Sequence, residues 1–229
     1  MFTIRPYSEE DRDEVNRILE EVYYPEEPLT RANNLSPEPA LASAVLPQGH
    51  SYIAASLDGK IVGLALNDEP PQVFPTIYTN DKEDVKFREM FAYMENVSGV
   101  LEAAPGAMEV RMMAVDGGWR GRGVATALLD AARKAAQDAG CPYIKLYCTS
   151  NHSSRLMSKL GWKLQYSMDY RDYLAHRPSA IVLPPEPHLR CNLYIDTVAG
   201  VNTQLQNHTD MCQSISIKQT SEVVHSATN

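Results

Sequence analysis

The chain has little positive charge to spare. Across 229 residues it carries 21 Lys and Arg against 29 Asp and Glu, a net charge of −8. The basic face that nucleic acid calls for is therefore not expected, and the acidic balance suits cationic small molecules better. Long apolar runs are missing too: none approaches the roughly 20 residues that cross a bilayer. The opening "MFTIRPYSEEDRDE" lacks a basic region followed by an apolar one, so it does not read as a signal peptide. The four cysteines, Cys141, Cys148, Cys191 and Cys212, form no C-x-x-C pair. The six histidines show no H-x-x-x-H or Cys/His spacing of a zinc site. The reading is a soluble, reduced, cytoplasmic protein, with no metal and with neither nucleic acid nor membrane as partner. Nothing in these totals bears on the oligomeric state.

Aromatic residues stop at Tyr194. The segment 197–229 is rich in Ser, Thr, Asn and Gln and cannot bury enough apolar surface to offset its ordering entropy, which predicts a disordered polar tail. Residues 1–196 read as one α/β domain. "FTIR" is a first strand, and Ser8-Glu9-Glu10-Asp11 has the form of a capping box ahead of helical spacing at Val15, Ile18, Leu19 and Val22. That helix stops at "YYPEEPL", and Ser36 is placed to cap a second one over 37–46. "HSYIAASLDGKIVGLALND" reads as a hairpin turning at Asp58-Gly59. A Pro-rich connector over 69–80 leads to a long helix over 81–103. "GAMEVRMMAV" then suits a buried strand, and an Ala-rich helix follows with Gly140 at its end. "CPYIKLYC", "WKLQYSMDYRDY" and "RCNLYI" complete the strands, with a helix over 150–160 between the first two.

The densest signal is "VDGGWRGRGVATALLDAARKAAQDAG", from Val115 to Gly140, with four glycines and two arginines inside Gly117–Gly123. Strand, glycine loop, helix is a layout for holding phosphate. Glycines expose backbone N–H groups and allow positive φ. The first turn of the following helix has N–H groups without partners at its positive dipole end. A loop and a helix start with no ligand would look the same at this level. On the helix, Val124, Leu128, Ala131, Ala135 and Ala139 are expected to form the packed face. The P-loop is excluded because Val124 stands where Lys is required, and the dinucleotide fingerprint lacks its last glycine at Thr126.

"RGRGVA", Arg120–Ala125, resembles the R/Q-x-x-G-x-G/A loop of the GNAT superfamily of acetyl-CoA-dependent N-acetyltransferases. "VRMMAV" before it is similar to that family's central strand, and "LMSKLGW" resembles its LYEKLGF turn. The resemblance covers roughly 60 residues in the family's order and implies a GNAT-like domain with a mixed central sheet flanked by helices. It further implies that Arg120, Gly121, Arg122, Gly123, Val124 and Ala125 hold the pyrophosphate of acetyl-CoA as cosubstrate. Met113, Ala114 and Val115 on the strand would pair with the pantetheine arm and offer N–H groups to the oxyanion.

Acetyl transfer to an amine needs a base, oxyanion donors and an acid for the departing thiolate. "YYPEEPL" offers two adjacent carboxylates, whose repulsion raises one pKa, beside aromatic neighbours; a solvated loop is the alternative. Glu26-Glu27-Pro28-Leu29 is also similar to the [DE]-E-P-[LM]-N motif of the invertebrate arylalkylamine (dopamine) N-acetyltransferases, with Thr30 in place of Asn. By that resemblance Glu27 is the general base, acting through water. The tyrosine that many GNAT enzymes use as acid is replaced by Met157. "CTSNHS" is similar instead to that group's C-S-S-x-x-S stretch, which makes Thr149 and Ser153 its two functional hydroxyls, with Tyr147 and His152 in reserve. Capping or lining the next helix is the plain alternative for Thr149 and Ser153. Tyr24, Glu26, Phe74 and Phe91 are expected around the amine, with Tyr93 and Met94 nearby, although aromatic residues at this spacing also serve as core.

The expected reaction is transfer of acetyl from acetyl-CoA to an arylalkylamine of the dopamine, serotonin, tyramine or octopamine class. A polyamine, an amino acid or a longer acyl donor remains open, as does a non-catalytic acyl-CoA sensor. A Cys148 nucleophile lacks an evident base.

Overall fold

The computed structural model describes residues 1–34, 42, 44–70, 82–177 and 181–200. Its strands are β1 (Phe2–Pro6), β2 (Tyr52–Ser56), β3 (Ile61–Asp68), β4 (Met108–Val115), β5 (Tyr143–Cys148), β6 (Lys163–Asp169) and β7 (Arg190–Thr197). Its helices are α1 (Arg12–Ile18), α2 (Tyr24–Glu26), α3 (Pro28–Ala32), α4 (Lys82–Ser98), α5 (Val100–Ala103), α6 (Val124–Asp138), α7 (Asn151–Lys159) and α8 (Tyr170–His176). Together the strands form one mixed sheet in the order β1-β2-β3-β4-β5-β7-β6. Only β4 and β5 run parallel; the other neighbours are antiparallel.

Three apolar clusters hold the domain. Small and aliphatic residues of α6 (Val124, Leu128, Leu129, Ala132, Ala135 and Ala136) lie on one face of the sheet with Ala54, Met108, Ile144 and Met157. This packed stripe is turned from the expected one: Ala131 is half-buried and Ala139 exposed, because Leu129, Ala132 and Ala136 carry the contact. Gly63 on β3 makes the close approach possible. A Cβ there would lie 3.0 Å from the Ala114 carbonyl oxygen and 3.2 Å from Val124. On the opposite face, α1 and its extension cover β2 to β4 through Val15, Ile18 and Tyr24. Helices α4 and α8 cover β5 to β7 through Met90, Met94, Tyr170 and Tyr173.

Several boundaries differ from the sequence reading. The long helix breaks at Gly99, which takes φ 63° and caps α5. "WKLQYSMDYRDY" is a strand only to Asp169. There the carboxylate accepts the Arg171 N–H at 2.9 Å and starts α8, so the local cap overrides the strand-like aromatics. The final strand runs to Thr197, and Val198 beyond it is buried against α6, donating its N–H to the Pro142 carbonyl. The ordered chain thus continues past residue 196, and the expected tail beyond residue 200 lies outside the described residues. Ser36 and most of the helix expected over 37–46 lie outside them as well, as does the Pro-rich connector beyond residue 70.

Strand β4 carries a bulge. Leu66 pairs with Met112 but Asn67 pairs with Val110, leaving Arg111 as the extra residue. Before the bulge, Met108 and Val110 face the α6 cluster; after it, Met112 and Ala114 face the α1 cluster. A bulge bends its strand. Pairing of β4 with β5 covers only Met108–Ile144 and Glu109–Lys145, and the two strands part immediately before the bend.

Candidate active site

The gap between β4 and β5 organises the site. The Asp116 N–H donates to the Val62 carbonyl, so it points toward β3. Backbone groups alternate along a strand; Ala114 therefore points toward β3 as well, while Met113 and Val115 turn toward the gap. The backbone groups of Ala114 thus serve the sheet. The Val115 carbonyl accepts from Arg120 Nε at 3.1 Å.

On one side of the gap stands the glycine loop. Asp116 starts a short turn over Gly117–Trp119 by accepting the Gly118 N–H at 2.9 Å. Gly121 and Gly123 take φ of 71° and 83°. A Cβ at either would meet nothing within 4 Å, so backbone conformation, not crowding by neighbouring protein atoms, accounts for glycine there. Gly123 is the N-cap of α6, and no side chain caps that helix. The first-turn N–H groups of Val124, Ala125 and Thr126 have no intrahelical partner. The exposed Arg122 guanidinium lies 5.1 Å from the Trp119 ring centre. These features suit a diphosphate: uncapped amides at a positive dipole end, with a cation close by.

On the other side the chain crosses the gap at Glu27. Tyr24 is buried in the α1 cluster, while Leu29, five residues later, is buried in the α4–α8 cluster. The π-helical turn Leu19–Tyr23 and Pro25 lead into this crossing, and Pro28 opens α3. Glu27 caps α3, its carboxylate accepting the Thr30 N–H at 2.5 Å and the Leu29 N–H at 3.2 Å. Two backbone donors fix the carboxylate and leave it further lone pairs. Glu26 is exposed and forms an ion pair with Arg120, so the expected repelling pair is in fact two carboxylates with separate partners.

At the C-terminal end of β5, Ser150 caps α7 by accepting the Ser153 N–H at 3.1 Å. The Ser153 hydroxyl donates to the Ser150 carbonyl at 3.0 Å and sits 2.9 Å from the Ser150 hydroxyl. The carbonyl of Thr149 accepts from the buried Tyr170 hydroxyl at 3.2 Å. Neither Thr149 nor Ser153 is therefore the cap. The Cys148 thiol is fully buried and pushed up to about 12 by that burial, against the pull of Ser153 and Ser154. It is a protonated core thiol at neutral pH, which removes the nucleophile reading.

Other expected residues scatter. Tyr24 and Met94 are core. Phe91 is half-buried, edge-on to Tyr147 at 5.3 Å. Tyr93 packs on Tyr173 beneath the Arg177 guanidinium, 4.4 Å from its ring centre. Phe74 lies outside the described residues. Burial drives the Tyr23 and Tyr147 phenols far above their ordinary range, so they act as neutral hydrogen-bonding groups and not as proton sources.

Sequence reasoning missed two groups. His188 packs edge-on against His152 at 5.5 Å, and its Nδ1 accepts the Asn151 N–H at 3.2 Å. Burial and then His152 hold it below its usual range, while the charge of Glu27 pulls the other way. No motif marks it, because it lies 35 positions beyond Ser153 in a loop. The second group is an ion network at the point where β4 and β5 part. Lys145 Nζ lies 2.7 Å from Glu95 and 3.5 Å from Glu109; Arg111 lies 2.7 Å from Asp68 and 3.6 Å from Glu109. Burial pushes the Glu109 carboxyl up, but Arg111 and Lys145 outweigh it and hold it below the usual range. Alternation of apolar residues hid the strand charges, since each looks like the solvent side of its strand, and Glu95 looks like the polar face of α4.

Among the described residues no group of three or more His, Cys, Asp or Glu could hold a metal ion. No described helix is long and apolar enough to cross a membrane.

Residues 12–162 match the acetyltransferase (GNAT) family. Among solved structures, arylalkylamine N-acetyltransferase 2 from Aedes aegypti is similar at 25% identity, over 86% of this chain and 99% of that one, with a TM-score of 0.73. A mosquito arylalkylamine N-acetyltransferase-like protein, 5b, is similar at 20% identity, over 86% of this chain and all of that one, with a TM-score of 0.77. The polyamine N-acetyltransferase of Drosophila melanogaster, described as forming N-acetylagmatine, is similar at 22% identity over 86% and 100% of the two chains, with a TM-score of 0.70.

Proposed function

Because the chain belongs to the GNAT acetyltransferase family, a match spanning residues 12–162, we propose that it moves acetyl from acetyl-CoA directly to the primary amine of an arylalkylamine. One observation carries the reading. At Glu27 the chain passes from the α1 cluster to the α4–α8 cluster, and the adjacent Glu26 pairs with Arg120 of the glycine loop, which supports a carboxylate and an anion cradle serving one site.

Acetyl-CoA supplies an activated thioester; Gly121, Arg122, Gly123, Val124 and Ala125 would hold its diphosphate. Arg120 joins them on leaving Glu26. Glu27, anchored by two N–H donors, takes the ammonium proton through water and frees the lone pair. The N–H groups of Met113 and Val115 face the gap and stabilise the charge that develops on the carbonyl oxygen. Return of a proton to the departing sulfur is assigned to Ser153, in its hydroxyl relay with Ser150, and to His188, which meets the same helix start. The aromatic edges of Tyr23, Phe91 and Tyr147 support an aryl acceptor.

A second acceptor class is favoured by the ion network. Its carboxylates outnumber its cations, which suits a dicationic amine such as agmatine, the acceptor named for the Drosophila neighbour. The test is thiol release from acetyl-CoA with tyramine, dopamine, octopamine, serotonin, agmatine and putrescine. The highest kcat/KM is expected among the aryl amines. Agmatine or putrescine leading the series would move the assignment to the polyamine class. No turnover with any amine, despite CoA binding, would point to a non-catalytic sensor.

A further inference from the structure

We infer that Glu95 and Glu109 are specificity-determining residues, selecting amines without a carboxylate and turning away α-amino acids that carry the same side chain. The inference rests on the acetyl-transfer reading of the cleft. Glu109 and Lys145 form the last pair before β4 and β5 separate, so the network lies at the root of the gap. Tyr147, two residues past Lys145 on the same face of β5, packs edge-on against Phe91 and has Lys145 Nζ 5.4 Å from its ring centre. Burial is the main cause that raises the half-buried Tyr23 phenol, and the charges of Glu27, Arg111 and Glu109 also reach it, so network and proposed base act on one side chain.

The charges do not balance. Asp68, Glu95 and Glu109 face Lys145 and Arg111, an excess of one negative charge, to which Glu27 adds a second. Both cations are already engaged. Lys145 is 7% exposed and held between two carboxylates, and Arg111 is held by Asp68 and Glu109. Neither is available to a substrate carboxylate. An amine enters as a cation and gains from this field; an amino acid brings an anion into it. Amine ionisation cannot produce the same preference, because the α-amine of an amino acid loses its proton more readily than an alkylamine.

Tyramine and L-tyrosine differ by the carboxylate alone, so they are the probes. The wild-type protein should favour tyramine in kcat/KM by at least about 100-fold, and Glu95→Gln should cut that ratio roughly tenfold, mostly through KM for tyrosine. Glu95 is suited to the test because Lys145 keeps Glu109 when it is changed. A merely structural role would lower both substrates together and leave the ratio fixed; that result, or a wild-type ratio near one, overturns the inference. Calorimetry of both ligands on the CoA-loaded protein reads the discrimination without turnover. Tighter tyramine binding with no catalysis supports the inference while refuting acetyl transfer, and equal affinities refute the inference itself.

Discussion

Replacing Glu27 by Gln separates two roles that the structure gives one carboxylate. As a cap, Glu27 accepts the Thr30 and Leu29 N–H groups. Losing a cap outright costs about 1 kcal/mol. The Gln amide keeps one carbonyl oxygen for those donors, so the stability loss should stay under about 1 kcal/mol, or about 2–4 °C in Tm for a domain of this size. As a base, the same residue is worth far more: removing it should lower kcat about 10²- to 10⁴-fold, or about 3–5 kcal/mol of barrier. Affinity for CoA should be unchanged, since the α6 start is on the other side of the gap. Glu27→Ala, which removes cap and base together, should match Glu27→Gln in rate but melt lower, by up to about 2–4 °C below wild type. The assays are thiol release with tyramine at saturating acetyl-CoA, calorimetry with CoA, and a thermal melt. A kcat/KM for Glu27→Gln within about threefold of wild type, too small a change for loss of a general base, would remove Glu27 from the chemistry and leave it a cap.

Three further outcomes follow from the geometry. Gly123→Ala places a Cβ at φ 83°, which costs about 1–2 kcal/mol; because the strain falls at the α6 start, CoA affinity should drop more than tyramine KM rises, as calorimetry and kinetics would show. Ser150→Ala removes the α7 cap and should cost about 1 kcal/mol in a denaturant melt, whereas Ser153→Ala leaves that cap in place and should act chiefly on kcat. Asp11 is held down to about 2, chiefly by its hydrogen bonds from Arg5. A carboxyl depressed in the folded state stabilises the protein above its unfolded pKa and stops doing so as pH falls through the folded value. Melting temperature should therefore fall between about pH 4 and pH 2, and Asp11→Asn should flatten that fall.

The local punctuation of the chain was readable because it is local. The hairpin at Asp58-Gly59, the helix after Gly123 and the stops at Gly140 and Gly161 each depend on one or two residues whose conformational freedom shows in the sequence. The insertion of β7 between β5 and β6 was not readable, since pairing partners distant in sequence leave no mark in a single strand. Glu27 was found through its neighbours in sequence. His188 and the Glu95–Lys145–Glu109–Arg111 network were not, because they are assembled by elements that meet only in the folded state. The helix start after Asp169 was missed because aromatic residues suited both readings, and the cap decided between them.

The bulge at Arg111 has a consequence for how this strand tolerates change in length. Removing that one residue would leave Leu66 opposite Met112 and Asn67 opposite Val110, and every other β4 side chain on the face it now occupies. The apolar packing would keep its faces, but Asp68 and Glu109 would lose the guanidinium that now pairs with them. The bend would go, and with it the reason for β4 to lean away from β5, so the sheet could zip shut across the space where two substrates must meet. A single-codon deletion here should yield a protein that still folds, melts lower for the loss of those ion pairs, and no longer turns over, while a deletion elsewhere in the strand would scramble the core.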